Sequence, residues 1–144
     1  MNLRPVTDKD IPFLVSVRES FPDAWNEKML TSAFNAGNFF GFIAEEVKGG
    51  APIGFITYSV NIDTADLQDL FVDEKCRKKG VGRALVAEFI SAARERGVKK
   101  LFLEVRESNI PAINLYKKAG FTFLSERKKY YSDGENALVL VKEL

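Results

Sequence analysis

The sequence predicts an α/β protein (α+β in its mixed sheet), with elements in the order β-α-α-β-β-β-α-β-α-β-β. Short apolar, β-branched runs alternate with stretches whose apolar residues recur every three or four positions, so both periodicities are present in one chain. The length of 144 residues suits one domain, expected over 1–144, with enough surface buried to form a core. With 46% hydrophobic and 28% charged residues, and no low-complexity tract or internal repeat, disordered and fibrous classes are excluded. No apolar run approaches the ~20 residues of a bilayer span, and Met1-Asn2-Leu3-Arg4-Pro5 lacks a signal-peptide pattern. The expectation is a cytoplasmic protein with no membrane partner.

Residues 3–6 form a short first strand. Thr7 and Asp8 offer N-caps for a helix carrying Ile11, Leu14, Val15 and Val17 to about Ser20, and Phe21-Pro22-Asp23-Ala24-Trp25 ends it. Asn26 caps a second helix with Met29, Leu30, Ala33 and Phe34 on one side, closed by Gly37. Residues 39–46 and 52–61 read as a hairpin around Lys48-Gly49-Gly50, and 65–72 extends the antiparallel series. Val81, Leu85, Phe89, Ala92 and Ala93 mark a helix over 80–96 that stops at Gly97. A strand over 101–106 follows, then a helix opened by Asn109 and Pro111 that ends at Gly120. Strands over 121–128 and 137–141, separated by the turn Ser132-Asp133-Gly134, finish the chain. The sheet is expected to be mixed, antiparallel early in the chain and parallel where helix crossovers intervene.

Histidine is absent and Cys76 is the only cysteine. These counts exclude His-activated nucleophiles, an intrachain disulfide and Cys-cluster zinc, and no metal is expected. Proton transfer would fall to a carboxylate, a tyrosine, a lysine, Cys76 or water. The net charge of +1 is unevenly spread: residues 1–72 hold 5 Lys+Arg against 10 Asp+Glu, and residues 73–144 hold 16 against 10. A basic second half suits a phosphate-bearing partner. Without aromatic interleaving or a recognition helix, nucleic acid is a poor fit for that partner.

Two stretches stand out. A strand ending Leu70-Phe71-Val72 leads into Arg77-Lys78-Lys79-Gly80-Val81-Gly82-Arg83 and the helix over 80–96. Helix N-termini carry unpaired N–H groups and positive partial charge, and glycines admit a phosphate close to the backbone, so this reads as a pyrophosphate seat. Neither a Walker A nor a Rossmann glycine pattern is present. Further on, Glu104 lies among apolar strand residues, where desolvation would raise a carboxyl toward use as a base. Tyr116, seven residues past Asn109, reads either as a core aromatic or as an acid for a leaving thiolate.

The glycine motif, with the spacing of Asn109, Ala112, Leu115, Tyr116, Gly120 and Phe121, resembles the GNAT superfamily of acyl-CoA-dependent N-acyltransferases. The element order fits the GNAT fold along nearly the whole chain. Residues 103–106 and 129–137 resemble protein N-α-acetyltransferases of the RimI-like ribosomal-protein-alanine and archaeal Ard-type branches. The resemblance implies acetyl-CoA as co-substrate and a protein or peptide N-terminus as acceptor, the N-terminal alanine of ribosomal protein S18 among the candidates. Lysine side chains, polyamines or other small amines are the alternative acceptors. It further implies that Leu70, Phe71 and Val72 bind the acetyl and pantetheine groups through backbone atoms. Arg77, Lys78, Lys79, Gly80, Val81, Gly82 and Arg83 would hold pyrophosphate, and Asn109 the pantetheine arm. Tyr116 would protonate the thiolate and Glu104 relay the amine proton. Some Ard-type enzymes place the base elsewhere, at positions matching Asp23 and Asp66, so Glu104 and Asp23 both stand as candidates. Asp23, Trp25, Tyr130 and Tyr131 are expected to contact the peptide.

Overall fold

A computed structural model describes residues 1–18 and 25–144. The first helix expected to reach Ser20, the Phe21–Pro22 break and Asp23 fall partly or wholly outside the described residues. The strands are β1 (Asn2–Pro5), β2 (Phe39–Glu45), β3 (Pro52–Asn61), β4 (Thr64–Val72), β5 (Lys100–Arg106), β6 (Thr122–Arg127) and β7 (Ala137–Glu143). The helices are α1 (Ile11–Ser16), α2 (Glu27–Asn35), α3 (Val81–Glu95) and α4 (Ile110–Lys118), with 3-10 turns at Asp8–Asp10 and Glu74–Cys76.

The seven strands lie in the order β1-β2-β3-β4-β5-β7-β6. Only β4 and β5 are parallel neighbours; every other adjacent pair is antiparallel. The crossover through α4 therefore departs from the simple expectation. β6 runs parallel to β5 but lies one place beyond it, and β7 inserts between them, antiparallel to both.

Strand alternation divides the sheet into two faces. On one, Ala44, Ile56, Tyr58, Ala65, Leu67, Leu101, Leu103 and Val105 pack under Leu85, Val86, Phe89 and Ala93 of α3 and Ile113 and Tyr116 of α4. On the other, Phe39, Ile43 and Phe55 pack under Ile11 and Leu14 of α1 and Leu30 of α2. Burying Phe89 fully contributes roughly 2–3 kcal/mol, which suits its place at the centre of α3. Arg4 joins β1 to both neighbours: its guanidinium holds Asp10 at 2.8 Å and Glu45 at 3.0 Å. Thr7 N–H also donates to Asp10, closing the cap of the first turn.

Candidate active site

β4 and β5 are hydrogen-bonded only from Thr64 opposite Lys100 to Leu67 opposite Leu103. Beyond that, β4 stays with β3 up to Val72 while β5 stays with β7 up to Arg106, so the two strands part. One surplus residue sits at the break. Tyr58 faces Leu67 and Thr57 faces Asp69, which leaves Gln68 as a bulge. A bulge bends and overtwists its strand, and here it turns the second half of β4 away from β5.

The gap is a cleft of about 850 Å³. On its β4 wall the Leu70 carbonyl accepts from Arg18 Nη2 at 2.8 Å, and beyond the lining the Val72 carbonyl accepts from Arg77 Nε at 3.1 Å. Asp73 N–H, by contrast, donates back to Ile53. In an antiparallel strand the N–H and C=O of one residue point the same way, so Leu70 and Val72 aim their backbone groups at the edge that β5 leaves. Phe71 points its ring to the other side, stacked on Phe55 at 5.7 Å.

From β5, Glu104 and Arg106 project into the cleft while Leu103 and Val105 are buried on the opposite face. Alternation thus overrides the apolar neighbours: the Glu104 side chain is 28% exposed, with Arg127 Nε 3.5 Å away. Two carboxylates of β4 are raised by burial. Burial, reinforced by the charge of Glu104, pushes Asp66 upward. Burial also raises Asp69, opposed by the guanidinium of Arg18. Asp63 sits at the far end of β4, where its carbonyl accepts from Lys99 N–H, and takes no part in the cleft.

Tyr116 closes the cleft from α4. It is 5% exposed, packs edge-on against Phe121 at 6.0 Å, and lines the cleft. Burial, and then the Asp69 carboxylate, lift its phenol above the ordinary tyrosine range, with Arg18 opposing. Asn109 caps α4, its Oδ1 accepting from Ala112 N–H at 3.3 Å, and lines the same wall.

The entrance is aromatic. Trp25 stacks on Phe39 at 5.5 Å, and Tyr130 meets Tyr131 edge-on at 5.1 Å. Arg106 lies 4.0 Å over the Tyr131 ring while binding Asp133 and Glu135. Glu135 also accepts from Ser108 N–H at 2.9 Å, which ties the β6–β7 loop to the end of β5. Burial pushes the Tyr131 phenol up to about 12, opposed by Arg106.

The basic loop follows β4 directly. Lys78 and Gly80 adopt positive φ, and no side chain caps the first amides of α3. Arg77, Lys78, Lys79 and Arg83 are exposed, Val81 is buried beneath them, and the loop lies outside the cleft lining, tied to the end of β4 through the Arg77–Val72 bond.

The acetyltransferase (GNAT) family pattern matches residues 12–121. The [ribosomal protein bS18]-alanine N-acetyltransferase of Escherichia coli K12 is 36% identical over 138 residues, covering 91% of this chain and 89% of that protein. The chain belongs to the GNAT acetyltransferase family. Among solved structures, the E. coli ribosomal-protein-S18-alanine N-acetyltransferase has a TM-score of 0.87 at 30% identity, covering 99% of this chain and 92% of that one. Ard1 of Thermoplasma volcanium has a TM-score of 0.86 at 28% identity, covering 99% and 97%.

In this acetyltransferase the cleft brings together Leu70, Glu104, Asn109, Tyr116, Trp25, Tyr130 and Tyr131 from the sequence-predicted set. Sequence reasoning missed Arg18, Arg127 and the Arg106–Glu135 pair. Arg18 carried a usable signal: it continues the Ile11, Leu14, Val15 spacing by one turn, where a cation extends a buried face. Among the described residues no group of His, Cys, Asp and Glu is arranged to hold a metal, and no helix is long and apolar enough to cross a membrane.

Proposed function

We propose that this acetyltransferase moves the acetyl group of acetyl-CoA onto the α-amino group of protein N-termini, an N-terminal alanine such as that of bS18 among them. The observation that carries the reading is the pairing of Glu104 and Tyr116 on two walls of one cleft, in a chain aligned over 91% of its length with a protein-alanine N-acetyltransferase. The co-substrate supplies an activated thioester. Leu70 and Val72 offer edge amides to its pantetheine arm and acyl oxygen, the uncapped start of α3 with Lys78, Lys79 and Arg83 suits the pyrophosphate, and Asn109 borders the arm. Glu104 takes the proton that the attacking amine releases as the C–N bond forms. Tyr116 gives its proton to the sulfur as the C–S bond breaks. The reading treats residues 1–144 as one domain working in the cytoplasm.

A carboxylate base suffices because an α-amine titrates near ~8 and a lysine near ~10.4, which leaves the neutral α-amine on the order of a hundredfold more available at pH 7. The test is coenzyme A thiol release with a peptide panel. Peptides with free first alanine or serine should exceed N-blocked lysine peptides in kcat/KM, and equal or faster turnover of the blocked lysine peptide would move the acceptor to lysines or small amines.

A further inference from the structure

We infer that Arg18 is a positioning residue that, through Asp69, sets how readily Tyr116 gives up its proton. The inference rests on the reading of Tyr116 as the acid and goes beyond it by naming what tunes that acid. Arg18 follows the last turn of α1, its N–H donating to Val15 at 3.0 Å. Its guanidinium engages both Asp69 carboxylate oxygens, through Nε at 2.8 Å and through Nη2, while Nη2 also holds the Leu70 carbonyl. The same group lies 5.7 Å from the centre of the Phe71 ring, which anchors it against the sheet. Arg18, Asp69, Leu70 and Tyr116 all line the cleft, at the bulge where β4 leaves β5.

Among the described residues, the charged and titratable groups acting on the Tyr116 hydroxyl are Asp69 from β4, Arg18 from beyond α1 and Tyr131 from the β6–β7 loop. When the C–S bond breaks, its electron pair stays on sulfur and the Tyr116 O–H proton moves there. The transient phenolate is reprotonated by solvent or by the proton the amine has released. Asp69 alone would oppose that negative charge in a site of low polarity, and Arg18 offsets it. The site is thus nearly neutral toward Tyr116 when both partners are present or both are absent, and negative when Arg18 alone is lost.

The test is steady-state kinetics with acetyl-CoA and a free-N-terminal alanine peptide across pH. The variants are Arg18→Met, Asp69→Asn and their double, each with Tyr116 intact and with Tyr116→Phe. Arg18→Met should lower kcat about tenfold with acetyl-CoA KM little changed. Its deficit should deepen as pH rises and Asp69 ionises. Adding Asp69→Asn should restore most of the loss, because the double variant no longer carries an unpaired buried carboxylate beside Tyr116. In the Tyr116→Phe background Arg18→Met should change kcat less than about twofold. Equal losses in both backgrounds, or a double variant no better than Arg18→Met, overturn the inference. Full activity of Tyr116→Phe alone would instead overturn the acid assignment beneath it, and that single variant tells the two failures apart.

Discussion

Gly82 of α3 and Leu115 of α4 are in close contact: a Cβ built on Gly82 would lie 3.2 Å from Leu115 Cδ2 and 3.7 Å from Val72 Cγ2. The glycine therefore lets β4, α3 and α4 meet, because a side chain here would press on Leu115 and Val72. Gly80 differs. Nothing lies within 4 Å of its Cβ position, and its constraint is a φ of +83°.

These two glycines should fail differently. Gly82→Val overpacks the α3–α4 contact, with an expected loss of about 1–3 kcal/mol in denaturant unfolding, partly recovered by Leu115→Ala. Gly80→Ala meets only backbone strain of about 1–2 kcal/mol, but relaxation of the turn should misdirect the first amides of α3. Coenzyme A affinity measured by calorimetry should then fall severalfold. Unchanged affinity for Gly80→Ala would remove the pyrophosphate seat from the proposal.

Tyr116→Phe deletes one hydroxyl from a well-packed ring, so the fold should survive while kcat drops about 100-fold with little change in acetyl-CoA KM. Glu104→Gln should lose a similar amount. If Glu104→Gln stays active and Asp23→Asn is dead, the base is Asp23.

Burial alone would raise the Asp10 carboxyl, but the hydrogen bonds from Arg4 and Thr7 outweigh it and hold it below the ordinary carboxylate range. A depressed folded pKa gives stability that is complete above the unfolded value of about 3.9 and is lost as pH falls through the folded one. Asp10→Asn should cost about 2 kcal/mol at neutral pH because Arg4 loses a bidentate partner. The gap from the unmodified chain should narrow below about pH 4, as followed by urea unfolding. A gap that stays constant with pH would show that the charge of Asp10 is not what the fold uses.

Glu135 holds Arg106 at 3.0 Å and Ser108 N–H at 2.9 Å, and Arg106 in turn underlies Tyr131. Glu135→Ala should loosen the aromatic entrance, raising peptide KM severalfold while leaving kcat and coenzyme A affinity nearly unchanged. A loss confined to kcat would place Tyr131 in the chemistry instead.

The element order was legible because each helix and strand carries its own periodicity and stop signal, from Asn26 to Gly37 for α2 and from Gly80 to Gly97 for α3. The strand order was less so. Nothing local to β6 or β7 says that β7 will insert beside β5; that choice is made by side chains distant in sequence. At the site, Tyr116 and Asn109 were readable from a helix start and its buried face. Glu104 was legible as a carboxylate on a short apolar strand, which alternation turns to the cleft, whereas the burial that raises Asp66 and Asp69 depends on how β4 packs and left no local signal. The Arg18–Asp69 pair joins residues 51 positions apart, beyond the reach of any local pattern.

Gln68, a single surplus residue, lies where the cleft opens. Removing that one residue would leave Leu67 opposite Tyr58 and Asp69 opposite Thr57, with every side chain on its present face but the strand straight. A straight β4 is free to continue its ladder along β5, adding hydrogen bonds where the cleft now stands. Deleting Gln68 should therefore yield a chain that resists unfolding better and no longer turns over, so the present sequence trades sheet stability for catalysis at a single codon.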